Sequence, residues 1–214
     1  MTRKEHQFNI LPLTADLAGE TATVYADLFA CDEPLTHACS VDPAVFYPLA
    51  THYLDLCAQA GMSFVAQEAG TRECAGFLLA SDVCETWEEN DLQMAQMYEV
   101  FSDCVTLIAR LEHEFLKKYP LLKCEGYHIV QIGVITQYRR NGLATMLIIR
   151  ALEHAKNHGY RVAMAECTSP ASRDCFLKSG FSEFCSVAYK TYNDGKNTPY
   201  SGLSGEISLM VRWL

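Results

Sequence analysis

The chain has 214 residues, 50% of them hydrophobic, 20% charged and 11% aromatic, a composition that builds a packed core and excludes intrinsic disorder. Seventeen Lys and Arg against 26 Asp and Glu give a formal charge of −9. The longest basic clusters are Arg139-Arg140 and Lys117-Lys118, which excludes a phosphate-tracking nucleic-acid surface, and the acidic balance suits a small cationic partner.

No apolar stretch approaches the roughly 18 residues of a membrane helix. The polar opening Met1–His6 leads into no signal-peptide core. A cytoplasmic protein without membrane contact is expected. Ten scattered cysteines with no CxxC pair, most of them in apolar runs, read as free buried thiols of a reducing compartment. No repeat or linker divides residues 1–214, so one domain is expected, and no feature selects an oligomeric state.

In chain order, Phe8–Leu11 alternates apolar and polar residues and predicts a short strand. Ala15–Ala30 has helical spacing, with Leu17, Val24 and Leu28 on one side. Cys31–Pro43 reads as a loop, and Ala44–Ala60 as a helix closed by Gly61. Ser63–Gln67 and Ala75–Ala80 are strands about a turn at Ala69-Gly70-Thr71. Met94, Met97, Phe101, Val105, Ile108, Leu111 and Phe115 then recur every three or four residues, predicting one long helix over about 91–118. The stripe reads first as packing on a sheet; a Met- and Phe-rich wall would also suit a pocket for an aromatic ligand.

The C-terminal half alternates strand and helix: His128–Thr136, Leu143–His158 with Gly159 as its cap, Arg161–Cys167, Pro170–Ser179, then strands Ser182–Tyr189 and Glu206–Trp213. This order demands a parallel pair inside an otherwise mostly antiparallel sheet, an α+β (mixed α/β) fold flanked by helices.

The informative stretch is Val134–Ala144, where a strand ends in a basic turn and a helix starts at a glycine. The first N–H groups of a helix lack intrahelical partners and its dipole adds positive potential, so this is an anion site. Gly142 and Ala144 admit a bulky anion, and Arg139 and Arg140 bring charge-assisted donors beside Asn141, Leu143 and Thr145. Neither a Walker G-K-[ST] nor a G-x-G-x-x-G is present. An ordinary strand–helix turn with solvated arginines is the competing reading.

With the order of elements around it, R-x-x-G-x-A at Arg139, Gly142 and Ala144 resembles the acetyltransferase superfamily known as GNAT. Gly180-Phe181, closing the short helix after the fifth strand, fits it too. The resemblance implies that this loop cradles the pyrophosphate of acetyl-CoA as cosubstrate, with no metal, and that backbone groups of Ile132 and Val134 pair with the pantetheine arm. It implies acetyl transfer to an amine by direct attack.

That chemistry needs a base, because an alkylamine of pKa ~10 is only about 0.1% free base at neutral pH. Leu28–Leu35, containing Asp32-Glu33-Pro34-Leu35, is similar to the D-E-P-L motif of insect-type arylalkylamine N-acetyltransferases, which implies Glu33 as general base. Pro34 would hold Glu33 extended and aim its carboxylate into a cleft. Thr168 and Ser172 are the nearest matches to that branch's assisting serines, although residues around Pro170, Ser169 above all, also suit helix capping. His128, opening the fourth strand, is a second base candidate by its ordinary pKa near ~6.5, or else a satisfied histidine on a sheet face; Val130 replaces a second histidine of the vertebrate branch. His37 is a weaker candidate.

One departure stands out: the family's usual leaving-group tyrosine is Phe176 here. The reading is an acetyl-CoA-dependent N-acetyltransferase of a small primary amine, with an arylalkylamine as the first acceptor. Polyamines, amino acids, antibiotics or protein amines are alternative acceptors, and a non-catalytic acyl-CoA sensor is the alternative class.

Overall fold

The computed structural model describes residues 7–214; the polar opening Met1–His6 lies outside them. Seven strands form one sheet in the order β1-β2-β3-β4-β5-β7-β6. They are β1 Phe8–Pro12, β2 Phe64–Glu68, β3 Cys74–Asp82, β4 Gly126–Val134, β5 Val162–Cys167, β6 Ser182–Ala188 and β7 Glu206–Trp213. Every neighbouring pair is antiparallel except β4 and β5, the expected parallel pair. Among the described residues no helix is long and apolar enough to cross a membrane.

Strand alternation sends side chains to two faces. On one face Leu78, Ala80, Ala163, Ala165 and Met210 pack under α7 (Leu143–Asn157) and α8 (Pro170–Lys178). On the other, Phe77 and Leu79 pack with α1 (Ala15–Asp32), α3 (Pro43–Ala60) and α5 (Leu92–Val100). Further along that second face, Val162, Met164, Leu209 and Val211 pack with α6 (Ser102–Lys118). The second face thus carries two cores that part beside β4, and that parting becomes the site.

Three expectations are revised. The single helix over 91–118 is two helices, because Phe101 leaves helical geometry at φ −105°, ψ 25° and buries its ring edge-on against Phe46 at 5.3 Å. A four-residue helix, α4 (Trp87–Asn90), precedes them. The Cys31–Pro43 loop contains α2 (Pro34–Ala38), with Pro34 in its first turn, where the absent N–H costs nothing. All ten cysteines are free, but only Cys57, Cys74 and Cys167 are buried; Cys31, Cys84 and Cys124 are exposed.

Candidate active site

β4 pairs with β5 only from Gly126 to His128, although β4 runs on to Val134 and β5 to Cys167. The divergence has a local cause. The register against β3 jumps from Leu79↔Gln131 to Ala80↔Ile129, so Val130 is an extra residue, and such a bulge bends and twists its strand. Past the bulge β4 stays tied to β3. Ile135 N–H donates to the Ala75 carbonyl at 3.0 Å. By antiparallel alternation Gly133 and Gln131 also bond to β3, which turns the N–H and C=O of Ile132 and Val134 into the gap. Gly133 lets the strands approach: a Cβ there would lie 2.6 Å from the buried Phe77 ring.

Beyond β4, one 3₁₀ turn (Thr136–Tyr138) leads into the loop before α7. Arg140 takes a left-handed φ of 64°, and Gly142 one of 77°. No side chain caps α7 at Gly142, and its first intrahelical bond runs from Met146 N–H to Gly142 O at 3.0 Å. The N–H groups of Leu143, Ala144 and Thr145 therefore form an open anion-binding end. Asn141 shapes the loop by donating from Nδ2 to the Tyr138 carbonyl at 3.0 Å. Arg139 is engaged: Nε donates to the Val134 carbonyl at 2.9 Å and Nη2 to Asp32 at 2.5 Å, tying the end of α1 to the loop.

A cavity of about 970 Å³ runs from Arg140, Gly142 and Ala144 past Ile132 and Val134 into a chamber on the other side of the sheet. Aromatic side chains line that chamber, among them Tyr25, Phe29, Tyr53, Trp87, Tyr98 and Phe101. The Met94–Ile108 part of the predicted stripe forms its wall, whereas Leu111 and Phe115 pack in the core; one periodicity serves both ends. The chamber is acidic, with Glu33, Asp82, Glu85, Glu88, Glu112 and Glu166 in its lining. Burial, then Glu88 and Glu112, push the Tyr98 hydroxyl up to about 12.

Glu33 is the extended residue between α1 and α2, at φ −84°, ψ 119°. Its Oε2 accepts from Thr36 N–H at 2.6 Å and caps α2, so part of the carboxylate does serve a helix. Its Oε1 is buried and has no hydrogen-bond partner among the described residues. Pro34, which starts α2, thereby fixes a carboxylate that keeps one acceptor for the cavity.

His128 stands at the last β4–β5 pair, where the strands begin to part. Its Nε2 lies 2.7 Å from Glu166 and its Nδ1 3.5 Å from Glu112. Burial lowers its pKa, but the two carboxylates outweigh it and carry the group up to about 9. At neutral pH it is an imidazolium with no lone pair for a substrate proton. Donor atoms of the three groups lie within 4.8 Å of one another, close enough to consider a cation. Nε2 is, however, already in hydrogen-bond contact with Glu166, and Glu112 stands at ion-pair distance from Nδ1.

Thr168 and Ser172 both line the cavity. Ser172 belongs to the capping box of α8, its Oγ donating to the Ser169 carbonyl at 2.9 Å and its N–H to Ser169 Oγ at 3.2 Å. The Thr168 carbonyl accepts from Tyr189 Oη at 2.8 Å. His37 lies outside the cavity lining; its Nδ1 is 3.0 Å from the Ala30 carbonyl. Phe176 is buried, edge-on to Phe181 at 4.9 Å, and touches the cavity with a ring that has no proton to give. Sequence reasoning missed Glu88, Glu112 and Glu166. The last carried a signal, a lone acid inside the apolar strand Val162–Cys167, because buried acids are rare unless paired.

A sheet split beside a glycine-started, uncapped helix, with a cavity passing through the split, is the arrangement that the family resemblance implies. Sequence comparison gives the family: a profile of the Acetyltransferase (GNAT) family matches residues 27–181. The chain belongs to that family and is an acetyl-CoA-dependent N-acetyltransferase.

Solved structures with similar folds include mosquito arylalkylamine N-acetyltransferase like 5b, at 17% identity, 97% coverage of this chain, 100% of that one and a TM-score of 0.80. Arylalkylamine N-acetyltransferase 2 from Aedes aegypti gives 20%, 97%, 99% and 0.77. The Drosophila melanogaster polyamine N-acetyltransferase that forms N-acetylagmatine gives 16%, 97%, 100% and 0.77. At these identities the likeness is one of fold.

Proposed function

We propose that the protein acetylates the primary amine of a small arylalkylamine, with Glu33 as general base. The observation that carries this reading is the unpartnered Glu33 Oε1 in an aromatic, acidic chamber, reached through the β4–β5 gap from an open helix end. The fold shared with insect arylalkylamine N-acetyltransferases supports it.

The donor site fits acetyl-CoA, which supplies the acyl group as a thioester. Leu143, Ala144 and Thr145 N–H groups, with Arg140, meet the pyrophosphate. Arg139 meets it as well once its guanidinium turns from Asp32, its partner in this structure. Ile132 and the Val134 N–H pair with the pantetheine arm. A protonated amine is drawn into the chamber by its carboxylates, and its organic part packs on Tyr25, Phe29 and Trp87. Glu33 Oε1 takes a proton from the ammonium nitrogen and passes it to solvent. The freed lone pair attacks the thioester carbon, a C–N bond forms, the C–S bond breaks with its electron pair on sulfur, and the proton left on nitrogen by the attack goes to Glu33.

No tyrosine protonates the leaving thiol in this reading. A thiol of pKa ~8.5 leaves as thiolate at near-neutral pH. Thr168 flanks the cavity as a hydroxyl donor, whereas the Ser172 hydroxyl gives its proton to the Ser169 carbonyl. No metal takes part.

A second acceptor class is favoured by one observation: Glu88 Oε2 is also buried and unpartnered among the described residues, which suits the far cation of a polyamine. Steady-state assays of tryptamine against spermidine test the choice. A kcat/KM at least about tenfold higher for tryptamine supports the arylalkylamine reading; the reverse order replaces it with the polyamine one.

A further inference from the structure

Glu166 is not explained by the base and the donor site. It sits on β5 two residues past the last β4–β5 pair, inside a strand whose neighbours are apolar, and its side chain is 3% exposed. Oε2 is 2.7 Å from His128 Nε2. Oε1 is buried, has no hydrogen-bond partner among the described residues, and belongs to a residue of the cavity lining. A buried acceptor left unmet carries an uncompensated desolvation cost, so this oxygen calls for a donor.

The surroundings say which donor. Glu33 and Glu166 share a neighbour, Cys104 of α6, whose thiol is pushed well up, by burial first and then by charges that include both carboxylates. Two buried, unpartnered carboxylate oxygens on residues lining one chamber ask for a group with several N–H donors and a positive charge. A primary ammonium carries three.

We infer that Glu166 is a second anionic contact for the acceptor's ammonium group, positioned by His128 and Glu112. The ammonium docks between Glu33 Oε1 and Glu166 Oε1. Glu33 accepts its proton, while Glu166 meets the ammonium with Oε1 and keeps His128 Nε2 on Oε2. Glu112 braces the far side of that ring. Glu166 is thus an acceptor-binding residue, and His128 and Glu112 are positioning residues. The inference rests on reading the chamber as an amine site.

The test uses whichever of tryptamine and spermidine the wild-type protein turns over faster. Glu166→Gln is expected to raise the amine KM, and its Kd by calorimetry, by about tenfold to a hundredfold, the range for losing a hydrogen bond to a charged group. The acetyl-CoA KM stays unchanged and kcat moves much less than the amine KM. Glu112→Gln leaves Glu166 in place and raises the amine KM only a few-fold. Glu166→Asp keeps the charge but shortens its reach and gives an intermediate KM; it carries the test if the amide variant does not fold. Unchanged amine KM and Kd in the Glu166 variants of an active enzyme overturn this inference alone. A wild-type protein that neither binds nor acetylates either amine overturns it together with the reading it rests on.

Discussion

Glu33→Gln separates a base from a structural cap. The Oε2 contact to Thr36 N–H at 2.6 Å survives in the amide, whose carbonyl oxygen accepts as well, so α2 keeps its N-cap. Glu33→Ala removes it, at about 1 kcal/mol of stability. The glutamine variant therefore folds like the wild type, and its kinetic deficit reports on proton removal. With an amine of pKa ~10, the free base rises about tenfold per pH unit from roughly 0.1% at neutral pH. A base worth about 10²–10³ near pH 7 becomes dispensable as that fraction grows. The kcat/KM ratio of wild type to Glu33→Gln should thus fall from about a hundredfold near pH ~7 toward unity near pH ~10, in assays detecting the acetylated amine by mass spectrometry. A ratio that stays constant over that range refutes Glu33 as the base, and a ratio near one throughout removes it from the reaction.

The imidazolium of His128 makes a stability prediction. Its folded pKa of about 9 lies above its ordinary 6.5, so its contribution is complete below 6.5 and is lost as pH rises through 9. Glu112, raised by burial and Glu166 against the lowering pull of His128, acts in the same direction. Denaturation midpoints of the wild type should fall more steeply between pH 6.5 and 9 than those of His128→Gln, and equal slopes contradict the ion-pair account. Arg139→Glu sets like charges against Asp32 and a pyrophosphate, and should weaken acetyl-CoA at least about tenfold by calorimetry. The lost pair, nearly half exposed at both ends, changes stability by no more than about 1 kcal/mol; unchanged acetyl-CoA affinity removes Arg139 from the donor site. Phe176→Tyr should leave kcat within about threefold, because a thiolate of pKa ~8.5 needs no acid. A large gain would show that leaving-group protonation limits the enzyme.

The parallel pair and the glycine-started helix after β4 were legible in the sequence because each rests on local signals: β-branched runs, then a basic turn ending at Gly142. The aim of Glu33 was legible in part. Pro34 restricts the residue before it, but the capping bond to Thr36 depends on α2, which a five-residue stretch of mixed character does not announce. The break at Phe101 was hidden, since Phe46, 55 positions earlier in the chain, buries the ring that the 3.6-residue period assigns to a continuous helix. The His128–Glu112–Glu166 group was hidden for the same reason. Its members come from β4, α6 and β5, and only the tertiary fold brings a histidine's two nitrogens to two carboxylates.

The most direct test of the central claim is incubation of the purified protein with acetyl-CoA and phenethylamine, tryptamine, spermidine, amino acids and a lysine peptide, with products read by mass spectrometry because free thiols confound a thiol dye. Acetylation concentrated on phenethylamine and tryptamine is the predicted result. Acetylation confined to the amino acids or the peptide, or acetyl-CoA bound with no acetylated amine, would contradict it.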